Sequence, residues 1–190
     1  MSDETHTPPA NVSDTVPTSS TASTPQQSTQ PSTSDKTEVH PFLLKSPLIV
    51  KPLQNWEISG RLAAMRAAIS AGEDVNKLDD EAMIGFNEGR PLDACLRLGH
   101  MAGNADYRDN LPLIELLLEH GADPRLVSRA VMKPPILVAK FHAERSSGEW
   151  KEYWDRVIVL LEEAIVRLEE KGVSIEEARR ISVEGIESQR

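Results

Sequence analysis

One cysteine in 190 residues excludes an intrachain disulfide, and Cys95 alone cannot build a thiolate zinc site. A chain so poor in cysteine fits a reducing compartment, and the expected location is intracellular, cytoplasmic or nuclear. No apolar run approaches the roughly 18 residues that span a membrane. The start, Met-Ser-Asp-Glu-Thr, is acidic and has no apolar stretch of the kind a secretory signal needs. Positive charge is also short: 21 Lys and Arg stand against 30 Asp and Glu, giving a formal charge of −9. That balance speaks against a partner recognised by neutralising its phosphates, which takes a basic face. Neither nucleic acid nor membrane is therefore expected as a partner.

The aromatic deficit is uneven. Residues 1–40 hold no Phe, Tyr or Trp and are dominated by Ser, Thr and Pro, as in Val16-Pro17-Thr18-Ser19-Ser20-Thr21. Such a stretch cannot bury enough apolar surface to offset an ordering cost of about 1–2 kcal/mol per residue. Residues 1–45 are expected to be a disordered tail, leaving about 145 residues, enough for a core without staples. In the tail, Asn11-Val12-Ser13 matches a glycosylation acceptor by chance composition. Thr7-Pro8, Thr24-Pro25 and Ser46-Pro47 match the minimal pattern of proline-directed kinases, a pattern that Ser/Thr/Pro-rich sequence produces freely. The apolar runs Phe42-Leu43-Leu44 and Pro47-Leu48-Ile49-Val50, broken by prolines, are expected to lie extended across the first helices.

From there two strings echo one another. Gly72-Glu73-Asp74-Val75-Asn76 and Gly121-Ala122-Asp123-Pro124 each follow an apolar helical segment, Leu62–Ala71 and Leu113–His120. A glycine just beyond a helix takes the left-handed conformation at little cost and stops it. Proline-led segments recur at Pro52-Leu53, Pro91-Leu92 and Pro134-Pro135-Ile136, and proline suits a first helical turn, where its missing N–H has no partner to lose. One such helix pair cannot bury its own apolar face, whereas stacked neighbours can. The long helix from Trp150 to Leu168 carries Trp150, Tyr153, Trp154, Val157, Leu160, Leu161, Ala164, Ile165 and Leu168 at helical spacing and ends at Gly172. Ser174-Ile175-Glu176-Glu177 then opens a last helix to about Ser188, with Arg179 and Arg180 in water.

These strings resemble the ankyrin repeat, whose pattern runs Thr-Pro-Leu-His, Gly-His, an apolar Leu-Leu-Leu helix and Gly-Ala-Asp-Val-Asn. Lys51-Pro52-Leu53 through Gly60-Arg61 to Asn76 fits that frame without a gap. Gly89-Arg90-Pro91-Leu92 through Gly99-His100 opens a second repeat that Leu116–Asp123 closes, and Lys133-Pro134 through Ala139 opens a third. The departures are six extra residues between Asn76 and Pro91, the insertion Met101–Asn110, and a third repeat whose second helix becomes the long one. Trp56 and Glu57 also stand where the family has alanine. The resemblance implies an all-α fold, an ankyrin-like helical repeat solenoid of about three repeats with a long C-terminal capping helix. Residues 1–45 form the tail, 46–172 the array and 173–190 the final helix.

No constellation of catalytic or metal-binding residues emerges. Cys95 sits where a repeat packs a small alanine. His100, His120 and His142 have no metal-ligand spacing, Gly85–Gly89 lacks the Lys-Ser/Thr of a phosphate cradle, and Asp79-Asp80-Glu81 lacks calcium spacing and is expected to be a solvated loop. No cofactor and no metal is expected, and the chain is not expected to be an enzyme. The resemblance implies instead a monomeric protein–protein adaptor that meets its partner with loop tips and a first-helix face. Its candidates are Ile58, Arg97, Leu98, Lys140 and Phe141 on that face and Asp79, Asp80, Phe86 and Tyr107 on the loops. The alternative is a regulatory inhibitor or effector acting through the N-terminal tail.

Overall fold

The computed structural model describes residues 45–54, 57–80, 86–97 and 107–189. Residues 1–44 of the expected tail, Trp56, Leu98, His100, Glu81–Gly85 and most of the Met101–Asn110 insertion lie outside them, whereas Lys45, assigned to that tail, is described. Among the described residues the fold is all-helical, with α1 Pro47–Val50, α2 Ile58–Ser70, α3 Pro91–Leu96, α4 Leu111–Glu119, α5 Pro135–Ala143, α6 Glu149–Glu170 and α7 Ile175–Ser188. Short 3-10 turns at Lys51–Leu53 and Tyr107–Asn110 complete it.

Residues 47–50 are helical rather than extended. The reason is local: the Leu48 N–H donates to the Ser46 hydroxyl oxygen at 3.1 Å, and Pro47 presets the first turn. The same hydroxyl donates to Glu73, so Ser46 is held by the fold on two sides. α2 begins at Ile58, four residues before the segment expected, and Gly60 lies inside it with open space around its α-carbon. α3 starts on Pro91, and the Asp93 carboxylate accepts from the Arg90 N–H at 2.9 Å, which occupies one of the helix's free donors.

Three helices end in the same way. Gly72, Gly121 and Gly172 have φ of +91°, +92° and +84°, just past α2, α4 and α6. The N–H of the residue following each glycine closes back on a carbonyl five residues earlier: Glu73 to Ala68 at 3.1 Å, Ala122 to Leu117 at 3.0 Å, Val173 to Leu168 at 2.9 Å. This is the glycine-centred Schellman termination, which satisfies carbonyls the helix would leave bare. The expected stops are thus all present.

α1 packs on α2 and α3, α2 on α4, α3 on α4 and α5, α4 on α6, and α5 most extensively on α6. Shorter helices therefore touch shorter ones and longer helices longer ones, in chain order. Between them runs one continuous core that includes Leu48, Met65, Leu96, Leu117, Trp154 and Leu161. Cys95 lies within it at 0% exposure. In the α6 stripe Tyr153, Trp154, Val157, Leu161, Ala164 and Leu168 are buried as their spacing predicts, Leu160 and Ile165 are only partly buried, and Trp150 at its start is exposed.

A polar ladder ties successive loops along one edge. Asp74 accepts from the Asn76 N–H at 2.8 Å, and Asp123 from the Arg125 N–H at 2.9 Å, two equivalent turns. The Asn76 amide reaches the next loop, donating to the Gly121 carbonyl at 3.1 Å and accepting from the Asp123 N–H at 2.8 Å. Arg125, doubly bonded to Asp123, continues it by donating to the Val173 carbonyl at 3.1 Å. A second junction is Asn110, 2% exposed, whose amide donates to the Pro52 and Cys95 carbonyls while its oxygen accepts from Arg61 at 2.6 Å.

Candidate partner-binding surface

α3 and α5 present adjacent faces, and a cleft of about 330 Å³ lies between them, lined by Leu96, Arg97, Ala130, Val131, Val138 and His142, with Asp93 at its floor. Val138 and His142 are one turn apart on α5 and share the side toward α3. Leu137 and Phe141, also one turn apart, are 52% and 40% exposed. Met132, in the turn leading to α5, is exposed too and has φ of +57°, a left-handed conformation uncommon for such a side chain. These three exposed apolar side chains are next in sequence to the cleft residues Val131, Val138 and His142, and Phe141 touches His142.

Cations flank Phe141. The Phe141 ring lies 3.8 Å from the Arg145 guanidinium carbon and 4.8 Å from the Lys133 ammonium, both within cation–π reach. Behind it, His142 stacks on Trp154 with ring centres 4.8 Å apart, Trp154 meets Tyr153 at 5.0 Å, and Tyr153 meets Trp150 at 6.0 Å. Phe141 packs edge-on against His142 at 5.6 Å, so five rings run unbroken from the cleft to Trp150, itself under the Arg108 guanidinium. Burial, with the Arg145 charge adding to it, holds the His142 imidazole below its ordinary pKa and favours the neutral, stackable ring.

At the cleft floor Asp93 is 3% exposed. Burial pushes its carboxyl up to about 6, against the pull of the Arg90 N–H, the Ser128 hydroxyl and the Arg90 and Arg97 charges. Gly89 makes this arrangement possible. Its φ is +79°, and a β-carbon there would stand 2.5 Å from Asp93 Oδ2 and 2.7 Å from Ser128 Oγ.

Of the residues singled out from sequence, Arg97 lines the cleft, Phe141 packs against its His142, and Lys140 faces α6 instead. Arg97 closes α3, pairs with Glu88 and donates to the Asn87 carbonyl, so it is only partly presented. Lys140 pairs with Glu162 at 2.8 Å across α5 and α6. Ile58 is not beside the cleft: as the first residue of α2 it packs against the core, because α2 starts ahead of Gly60. Leu98 lies outside the described residues, as does the side chain of Tyr107, whose backbone opens a 3-10 turn.

The loop candidates separate sharply. Asp80 is open to water beside Lys77, and Phe86 is 63% exposed, but Asp79 is 3% exposed and contradicts the solvated loop expected of it. Its carboxylate pairs with Lys45 at 2.6 Å and accepts from the Glu88 N–H at 2.8 Å, while its carbonyl accepts from Gln189 at 2.6 Å. Asp79 is therefore a fastening point within the fold. Sequence reading missed this together with Asn110, Asp93 and the cleft itself. Asn110 did carry a signal, an Asn standing directly before a Leu-Pro helix start.

The Cys95 thiol is pushed well above the usual cysteine range by burial. Among the described residues no group of His, Cys, Asp or Glu could hold a metal ion, and no helix is long and apolar enough to cross a membrane. Compared with known protein families, curated proteins and solved structures, the chain matches none.

Proposed function

We propose that this chain is a divergent ankyrin-like repeat protein that works as a protein–protein adaptor, binding its partner on the α3–α5 face. The observation that carries the reading is the pairing order. Three helix pairs pack short on short and long on long, each longer helix ends on a left-handed glycine, and successive loops are bonded to one another. The glycine ends are 49 and 51 residues apart, more than the roughly 33 of an ankyrin repeat. The first excess equals the six extra residues before Pro91 plus the ten of the Met101–Asn110 insertion. Most of the second falls in α6, whose 22 residues compare with 9 in α4.

The face supports binding in its own terms. A cleft beside exposed aromatic and aliphatic side chains and a few fixed cations resembles the anchor pockets where interface energy concentrates. Partner chemistry is then apolar anchoring with polar framing, in a cytoplasmic or nuclear setting. The test is recovery of proteins from a cell extract by the immobilised full chain, with and without Leu137→Asp plus Phe141→Asp. Both side chains are exposed, so the fold should survive. Loss of a recovered set by the folded double variant supports the reading. Unchanged recovery by that variant sinks the assigned face.

A further inference from the structure

α7 does not extend the sequence of stacked pairs. It crosses the loops along the ladder edge, the same edge that a repeat protein would offer as loop tips. The Val127 N–H donates to Ser182 Oγ at 2.9 Å, Arg129 donates to the Gln189 carbonyl, and Gln189 donates to the Asp79 carbonyl at 2.6 Å. At Gly185 a β-carbon would stand 3.0 Å from Arg90 Nη2 and 3.2 Å from Leu78 Cδ2. The docked side of α7 is thus Ala178, Ser182, Gly185 and Gln189, which meets loop backbone at Val127 and Asp79 and the Arg90 and Leu78 side chains at Gly185.

This seat is polar and thinly packed. Ala178, at 1% exposure, is the buried apolar side chain that α7 contributes, whereas α6 buries Tyr153, Trp154, Val157, Leu161, Ala164 and Leu168. Nor does α7 satisfy the edge completely. Arg90 is 6% exposed, yet its Nε has no acceptor, and neither does the Gln189 Oε1 find a donor. Burial lowers the Arg90 pKa accordingly. An element with little buried apolar surface and unfilled polar partners belongs to the low-stability end of a structure. The chain enters α7 through Gly172 and Val173, just beyond the α6 stop.

We propose that the loop edge is a helix-docking groove, that α7 fills it as a displaceable resident, and that the partner it fits is a short helix bearing the same Ala-Ser-Gly stripe. The inference lies beyond the reading of the α3–α5 face and does not depend on it. A tethered helix competes at an effective concentration on the order of millimolar, so the groove is closed to weak competitors until α7 is displaced or outbid.

The experiment uses a fluorescein-labelled synthetic peptide of residues 174–190, read by anisotropy against three full-length chains: wild type, Ser182→Leu and Gly185→Leu. Each substitution puts a bulky side chain where α7 meets the loops and so unseats the chain's own helix. The blocked chains should bind the wild-type peptide at least about tenfold more tightly than wild type does. Peptides carrying the same substitutions should bind none of them. The proposal falls if a blocked chain that keeps its helical circular dichroism and cooperative melt takes up no peptide. It falls equally if substituted and wild-type peptides bind alike. Hydrogen exchange on the wild-type chain supplies a test that needs no variant. Amides of α7 should exchange through local opening at least about tenfold faster than those of α6, and equal protection would overturn the idea.

Discussion

Asp93 offers the sharpest test of the cleft's electrostatics. Its carboxyl is raised from 3.8 to about 6 because burial outweighs the Arg90 N–H, the Ser128 hydroxyl and the charges of Arg90 and Arg97. Between pH 4 and 6 the folded protein therefore holds a proton that the unfolded chain has released. Stability consequently falls as pH rises through this window and stays lower above it. A shift of about 2 units at 1.36 kcal/mol each amounts to about 3 kcal/mol. Asp93→Asn keeps an oxygen to accept from the Arg90 N–H but cannot ionise. Whatever constant offset the amide introduces, the stability of the variant relative to wild type should climb by about 3 kcal/mol from pH 4 to 7. Urea unfolding followed by circular dichroism at half-unit pH steps measures this directly. Parallel pH profiles for the two proteins would refute the reasoning, and a difference that shrinks with rising pH would reverse its sign.

Other consequences can be checked alongside it. Gly121→Ala meets nothing within 4 Å, so urea unfolding should show only the left-handed strain, about 1–2 kcal/mol; Gly89→Ala adds a collision with Asp93 and Ser128 and should cost clearly more. Asn110→Ala leaves the Arg61 guanidinium and the Pro52 and Cys95 carbonyls without their partner, and a loss of at least about 3 kcal/mol is expected from the same measurement. Cys95 should resist a thiol-specific chromogenic reagent in the native protein and react at the rate of unfolding, while rapid labelling without denaturant would contradict its burial.

What could be foreseen from sequence follows the range of the interactions involved. Gly72, Gly121 and Gly172 were legible because a left-handed helix stop is decided within six residues. Ser174 was legible for the same reason, and its hydroxyl does accept from the Glu177 N–H at 3.1 Å. The α6 stripe was legible as a side of a helix, but periodicity does not say how far the neighbouring helix extends, and Trp150 is left exposed. Gly60 was misleading: Gly60-Arg61 matches the Gly-His of the ankyrin pattern, yet it lies within α2, and Ile58 packs against the core instead of the first-helix face. Asp79 and Asn110 were opaque because their partners stand 8 to 110 residues away in the chain, beyond the reach of a local pattern. The docking of α7 was hidden likewise. Its pattern names a side to be covered without naming what covers it, and here the cover is backbone and polar loop.

The loop ladder also sets how this molecule can bend. The links from Asn76 to Gly121 and Asp123, and from Arg125 to Val173, are short bonds of fixed length between consecutive turns. The helices of neighbouring pairs meet through side chains, which slide by fractions of an ångström far more readily than a hydrogen bond stretches. Under load the laddered edge is the inextensible one, like the spine of a book, and compliance collects on the opposite edge. Flexing is then taken up by the side-chain contacts between helices, α3 against α5 among them, while the distance along the edge that seats α7 stays constant.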